Sequence, residues 1–120
     1  NLKQLQEAID FVNKARAQFE SAGFDVQSTR IATNSCETYA PSSESLNAQL
    51  VDMDKALADG NVSMMGLGQI EAGKRYLPWL APVFARYTRF MAACTLGDVR
   101  KGLLHDNVRA SAEMIRTLSK

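Results

Sequence analysis

Leu2, Leu5, Ile9, Val12, Ala15 and Phe19 recur at three- and four-residue steps, with Lys3, Gln6, Glu7, Asp10, Lys14 and Gln18 between them. That is the stripe of an amphipathic helix. Gly23 follows the last apolar positions, where a left-handed helix terminus is wanted. From Phe24 to Thr33 the texture changes to Val26, Thr29, Ile31 and Thr33, and these β-branched residues predict a strand that turns out at Asn34. A loop of Ser, Thr and Asn with Pro41 follows. Ser42 or Ser43 then caps a second helix, whose stripe is Leu46, Leu50, Met53 and Leu57 and which stops at Gly60.

Val62 to Gly68 is a short apolar run ending at glycines, the pattern of a buried strand. Ile70 to Arg86 has helical character but carries Pro78 and Pro82. Each proline removes a helical donor and crowds the preceding turn, which predicts two short pieces or a kink. Tyr87 to Leu96 reads as a third strand. Leu104, Val108, Ala112, Ile115 and Leu118 form a last helical stripe, with Asp98 as its expected N-terminal cap.

The order α-β-α-β-α-β-α requires crossovers between strands, and crossovers make parallel sheets with helices on the faces. Each crossover is expected to be right-handed. The fold class is therefore α/β: a parallel sheet with alternating helices, its strands near Asp25–Thr33, Val62–Leu67 and Thr88–Thr95. Leu50, Met53, Leu57, Val108, Ile115 and Leu118 are expected to be buried against it. The 120 residues make a single α/β domain or the N-terminal fragment of a larger one.

Composition narrows the function classes. With 46% hydrophobic and 22% charged residues the chain can fold around a core, which excludes disorder. The 14 basic and 13 acidic residues are interspersed, so no basic stripe awaits a nucleic acid. No apolar run approaches the ~20 residues of a membrane span. Two cysteines are too few for a disulfide framework, and the amphipathic N-terminus is unlike a signal peptide, so a cytoplasmic location is expected. The chain opens at Asn1 without a methionine, which points to processing or trimming.

In an α/β fold, ligands sit outside the carboxyl ends of the strands. Three loops begin there: Thr33-Asn34-Ser35-Cys36, Gly66-Leu67-Gly68-Gln69 and Cys94-Thr95-Leu96-Gly97-Asp98. The candidate ligand-binding residues are Arg30, Thr33, Asn34, Cys36, Gly66, Gly68 and Thr95, expected to share one concave region. There an anion would meet backbone donors, with charge from Arg30. Strand ends are polar in proteins without a site as well, so the bland alternative stays open.

"GLGQIEAG" lacks the third glycine of a dinucleotide fingerprint, because Glu71 stands where that glycine belongs. The two glycines at Gly66 and Gly68 allow a tight turn, or the approach of an anion to a helix start. Cys36 becomes a reactive thiol only if a cation lowers its pKa, whereas Cys94 has the surroundings of a small core residue. His105 is the one histidine and, with these cysteines, forms no recognised zinc spacing, so no metal site is expected. It reads as a surface helix residue, and Tyr76, Trp79 and Phe84 as packing against the sheet. No cofactor is named by any motif.

The ordered stretches "GFDVQSTRIAT", "VSMMGLGQI", "TRFMAACTLGD" and "ASAEMIRTLS" together resemble the N-terminal region of the uncharacterised family called domain of unknown function 711. The resemblance implies a fold similar to the barrels of pyruvate formate-lyase and other glycyl-radical enzymes, of which this chain would be the first part. No segment here resembles the radical-bearing glycine loop, and a shared fold does not carry chemistry with it.

Two functional readings follow. One is an enzyme, or part of one, that binds a small polar or anionic molecule at the strand ends. The other is a non-catalytic scaffold or interaction module completed by another chain. A short parallel sheet leaves two unpaired edges, so a homo-oligomer or completion by further polypeptide is expected.

Overall fold

The computed structural model describes residues 1–120. Helix α1 (Leu2–Ser21), strand β1 (Arg30–Ala32), helix α2 (Ser43–Asp59), strand β2 (Met64–Ile70), helix α3 (Gly73–Arg86), strand β3 (Phe90–Cys94) and helix α4 (His105–Leu118) follow in the expected alternation. A 3-10 turn at Cys36–Thr38 and a hairpin of β4 (Gly97–Asp98) with β5 (Gly102–Leu103) are additional. The main sheet has the order β1-β2-β3, and both pairings are parallel, with Ile31 beside Met65 and Met65 beside Phe90. The most extensive packing joins β2 with β3, α3 with α4 and β1 with β2.

The first two helices end in the same way but with different residues. At the end of α1, Gly23 takes φ 86°, Phe24 N–H donates to the Phe19 carbonyl at 3.0 Å, and Gly23 N–H donates to that of Glu20. The rings of Phe19 and Phe24 meet edge to face at 6.0 Å, the apolar contact that accompanies this terminus. At the end of α2 the left-handed residue is Asn61 (φ 52°), not Gly60, and Val62 N–H reaches the Leu57 carbonyl at 2.9 Å. Gly60 serves a different need, since a Cβ there would lie 2.3 Å from Ile9 Cγ2. The missing side chain lets α1 cross α2 closely, and Asn13 Nδ2 donates to the Gly60 carbonyl at 2.7 Å to hold the crossing. Ser42, not Ser43, caps α2, its hydroxyl accepting from Ser45 N–H.

Three expectations are corrected. The first strand is short because Asp25–Ser28 has nothing to pair with: β2 starts only at Met64, directly after the α2 terminus. Helix α3 is continuous through Pro78 and Pro82. Both prolines face solvent one helical turn apart, where water can satisfy the carbonyls they leave without donors. Asp98 does not cap α4. It sits in the hairpin, where its Oδ1 accepts from Arg100 and Lys101 N–H groups, which hold its carboxyl below the usual range.

One hydrophobic cluster unites Leu5 and Ile9 of α1, Leu46, Leu50, Met53 and Leu57 of α2, Leu77, Leu80 and Val83 of α3, and Met65, Leu67, Ile70 and Phe90 of the sheet. All helices therefore lie on one side of the sheet. The opposite face, with Ala32, Gly66, Gly68, Met91 and Ala93, carries no helix. Helix α4 departs from the expected phase: Ala110 and Asn107 are buried, while Ile115 is 68% and Leu118 40% exposed. The helix follows β3, the last strand of the sheet, so half of its apolar stripe overhangs the free sheet edge.

These placements set two stability outcomes, read by thermal or urea denaturation. Leu50→Ala should cost about 2–5 kcal/mol and Ile115→Ala no more than about 0.5 kcal/mol. Equal losses at the two positions would contradict the observed phase of α4.

Candidate functional site

The carboxyl end of the sheet is organised by a glycine. Gly68 has φ 76°, and a Cβ on it would fall 2.5 Å from Ser35 N and 2.7 Å from the Asn34 carbonyl carbon. The register between β2 and β3 shifts at the same place, between Gly66 and Gln69. The bare backbone of β2 thus lets the chain leaving β1 cross directly over it.

That crossing puts Cys36 in the core and Glu37 at the start of α3. The Glu37 carboxylate accepts from Ala72 N–H at 2.7 Å and from Glu71 N–H at 3.2 Å. Ala72 at the helix start has no capping side chain of its own, so Glu37 does from a distance what an N-cap residue does locally. Tyr76 Oη donates to the Ala40 carbonyl at 3.3 Å and Arg75 Nη2 to that of Pro41 at 2.7 Å, sewing the whole loop to α3.

Beyond the helix start, a directional hydrogen-bond chain crosses from β2 to β3. Gln69 Nε2 donates to Thr95 Oγ1 at 2.8 Å, and Thr95 Oγ1 donates to Glu71 Oε1 at 2.5 Å. Buried Asn107 of α4 closes the arrangement from beneath, its Nδ2 donating to the Glu71 and Thr95 carbonyls at 2.7 and 2.8 Å. Glu71 also lines a cleft of about 470 Å³ with Lys101, His105, Asp106 and Asn107. On the helix-free face the floor is Ala32, Gly66, Gly68, Met91 and Ala93, beside a cavity of about 280 Å³.

The residues singled out from the sequence fall in several places. Gly66 and Gly68 form the floor, and Thr95 is the centre of the rim network. Thr33 and Asn34 line a cleft of about 390 Å³ along the free side of β1, with Leu5, Tyr39, Gln49 and Met53. Thr33 Oγ1 lies 3.2 Å from Tyr39 Oη, and burial raises the Tyr39 pKa. Arg30 is the first residue of β1, away from the strand's carboxyl end, and its Nε turns back to Ser28 at 3.4 Å. Cys36 is 0% exposed, and burial, then the Glu37 charge, pushes its thiol up to about 11. The half-buried Cys94 thiol is also raised, chiefly by burial.

The N–H groups of Glu71 and Ala72, which lead into α3, are occupied from within the chain by Glu37. Glu37, Gln69, Glu71 and Asn107 were not among the candidate site residues drawn from the sequence. For Gln69 and Glu71 the signal was present, since Gln69 lies in the carboxyl end of the second strand and Glu71 directly follows it. For Glu37 and Asn107 there was none, because the pairings of Glu37 with Ala72 and of Asn107 with Glu71 span more than 30 residues.

No group of histidine, cysteine and carboxylate side chains here is placed to hold a metal ion, and no helix is long and apolar enough to cross a membrane. What the fold and the rim define is an α/β protein with a parallel sheet and a polar network at its strand ends. The chain belongs to the family described as Uncharacterised ACR (DUF711), whose model matches residues 1–120. No curated protein and no solved structure matches it.

Two further outcomes test this geometry. Gly68→Ala should destabilise the chain by more than about 2 kcal/mol, combining a strained φ with a backbone overlap. Gly23→Ala, where a Cβ meets nothing, should cost only about 1–2 kcal/mol. In alkylation followed by peptide mass spectrometry, Cys94 should be labelled first and Cys36 only on unfolding. Native-state labelling of Cys36 would mean that its loop opens readily.

Proposed function

We propose that this chain forms part of an α/β protein that binds a small polar ligand at the carboxyl ends of its parallel strands. The observation that carries the reading is the Gln69–Thr95–Glu71 network, which stands on the rim of a sheet face that no helix covers. Side chains larger than a methyl are absent from most of that floor, so a ligand can approach the backbone.

The one-sided arrangement of helices supports a closed barrel similar to those of pyruvate formate-lyase and its relatives. A doubly wound sheet would carry helices on both faces, whereas a barrel needs them only outside. A cytoplasmic location accords with two free thiols.

A second reading, a scaffold completed by further polypeptide or by another copy of the chain, is favoured by the two free strand edges. The cleft beside β1 and an apolar groove of about 300 Å³ beneath α4, lined by Leu96, Met114, Ile115 and Leu118, border those edges. Parallel strands are ordinarily covered on both faces.

The experiment that separates the readings is a two-dimensional amide NMR titration of the labelled chain against a panel of small polar metabolites, alongside light scattering. Saturable shifts at Gln69, Glu71 and Thr95, lost in Thr95→Val, are expected. Self-association without any such shift would leave only the scaffold.

A further inference from the structure

The direction of the rim's hydrogen bonds decides what it can hold. A carboxylate only accepts, so the proton shared between Thr95 and Glu71 comes from the threonine hydroxyl. Thr95 Oγ1 has then spent its one proton and must accept from Gln69, which fixes the amide nitrogen of Gln69 toward it and its carbonyl oxygen away. The backbone N–H groups of Glu71 and Ala72 are taken by Glu37, and the Asn107 amide donates to two backbone carbonyls. The side-chain donors of the network are thus consumed internally, save one amide hydrogen of Gln69. Acceptors are left over: Glu71 Oε2 and Gln69 Oε1 take no hydrogen bond from the chain.

Building on the strand-end reading above, we infer that the group seated against Gln69, Thr95 and Glu71 is a hydrogen-bond donor, an ammonium or hydroxyl, and not a phosphate or carboxylate. An anion there would face the Glu71 charge and lone pairs with a single side-chain N–H in return. A donor group meets acceptors already aimed outward, and those of a carboxylate bond more strongly than neutral ones. Lys101 and His105 line the Glu71 cleft from the hairpin and the start of α4. Asp106, between them and α3, is paired with Lys74 at 3.2 Å. Lys101 and His105 make no hydrogen bond to the rim network, so they do not supply the donor that Glu71 lacks.

The test is an NMR titration of the whole chain with ethanolamine, which carries both donor types, and separately with inorganic phosphate. Ethanolamine should shift the Gln69 side-chain amide and the Glu71 and Thr95 backbone amides. Glu71→Gln should weaken that response about tenfold or more, the usual scale for losing a charged hydrogen-bond acceptor. Phosphate should leave these signals unmoved in the unaltered chain. Phosphate binding at the rim without ethanolamine binding would overturn the inferred polarity while leaving a strand-end site. Silence toward both probes would remove the site and the inference together. An unchanged ethanolamine response in a folded Glu71→Gln variant would show that the acceptor is not Glu71.

Discussion

The absence of one side chain, at Gly68, governs the carboxyl end of this molecule. Because β2 is bare there, the loop leaving β1 lies on its backbone instead of arching away. From that crossing follow the burial of Cys36, the reach of Glu37 to the first N–H groups of α3, and the position of Glu71 beside Thr95. Each step depends on the one before. The rim is a consequence of backbone contact and would not survive its loss, even with every polar residue retained.

The alternation of elements, the parallel sheet and the α2 core were legible because they rest on periodicity. Leu46, Leu50, Met53 and Leu57 all point where the stripe places them. The phase of α4 misled because an overhanging helix keeps an apolar stripe with only part of it covered, and a stripe does not say how much sheet lies beneath it. The prolines of α3 misled for a related reason. Pattern identifies a missing donor but not whether water stands ready at the orphaned carbonyl.

The candidate site was legible in location and less so in chemistry. Thr95, Gly66 and Gly68 were found through their places at strand ends. Arg30 and Cys36 are neighbours of Thr33 in sequence, yet a short strand and a tight turn send one back toward Ser28 and the other into the core. Glu37 acting as a helix cap across such a sequence distance is invisible until the loop's path is known.

The packing of each element against others a short way along the chain has a consequence for how the chain gains and loses order. Every extensive contact joins elements adjacent or nearly adjacent in sequence, such as α1 with α2, β1 with β2, β2 with β3, and α3 with α4. No late element must return to an early one to complete the core. Loop-closure entropy is therefore small at each step, and structure can grow outward from α2 and β2 in either direction, as in a linear array of repeats. Either end can also fray without dismantling the middle. The two open margins of the sheet are thus the natural places for the molecule to breathe, whereas the Gly68 crossing at its centre is the last region to let go.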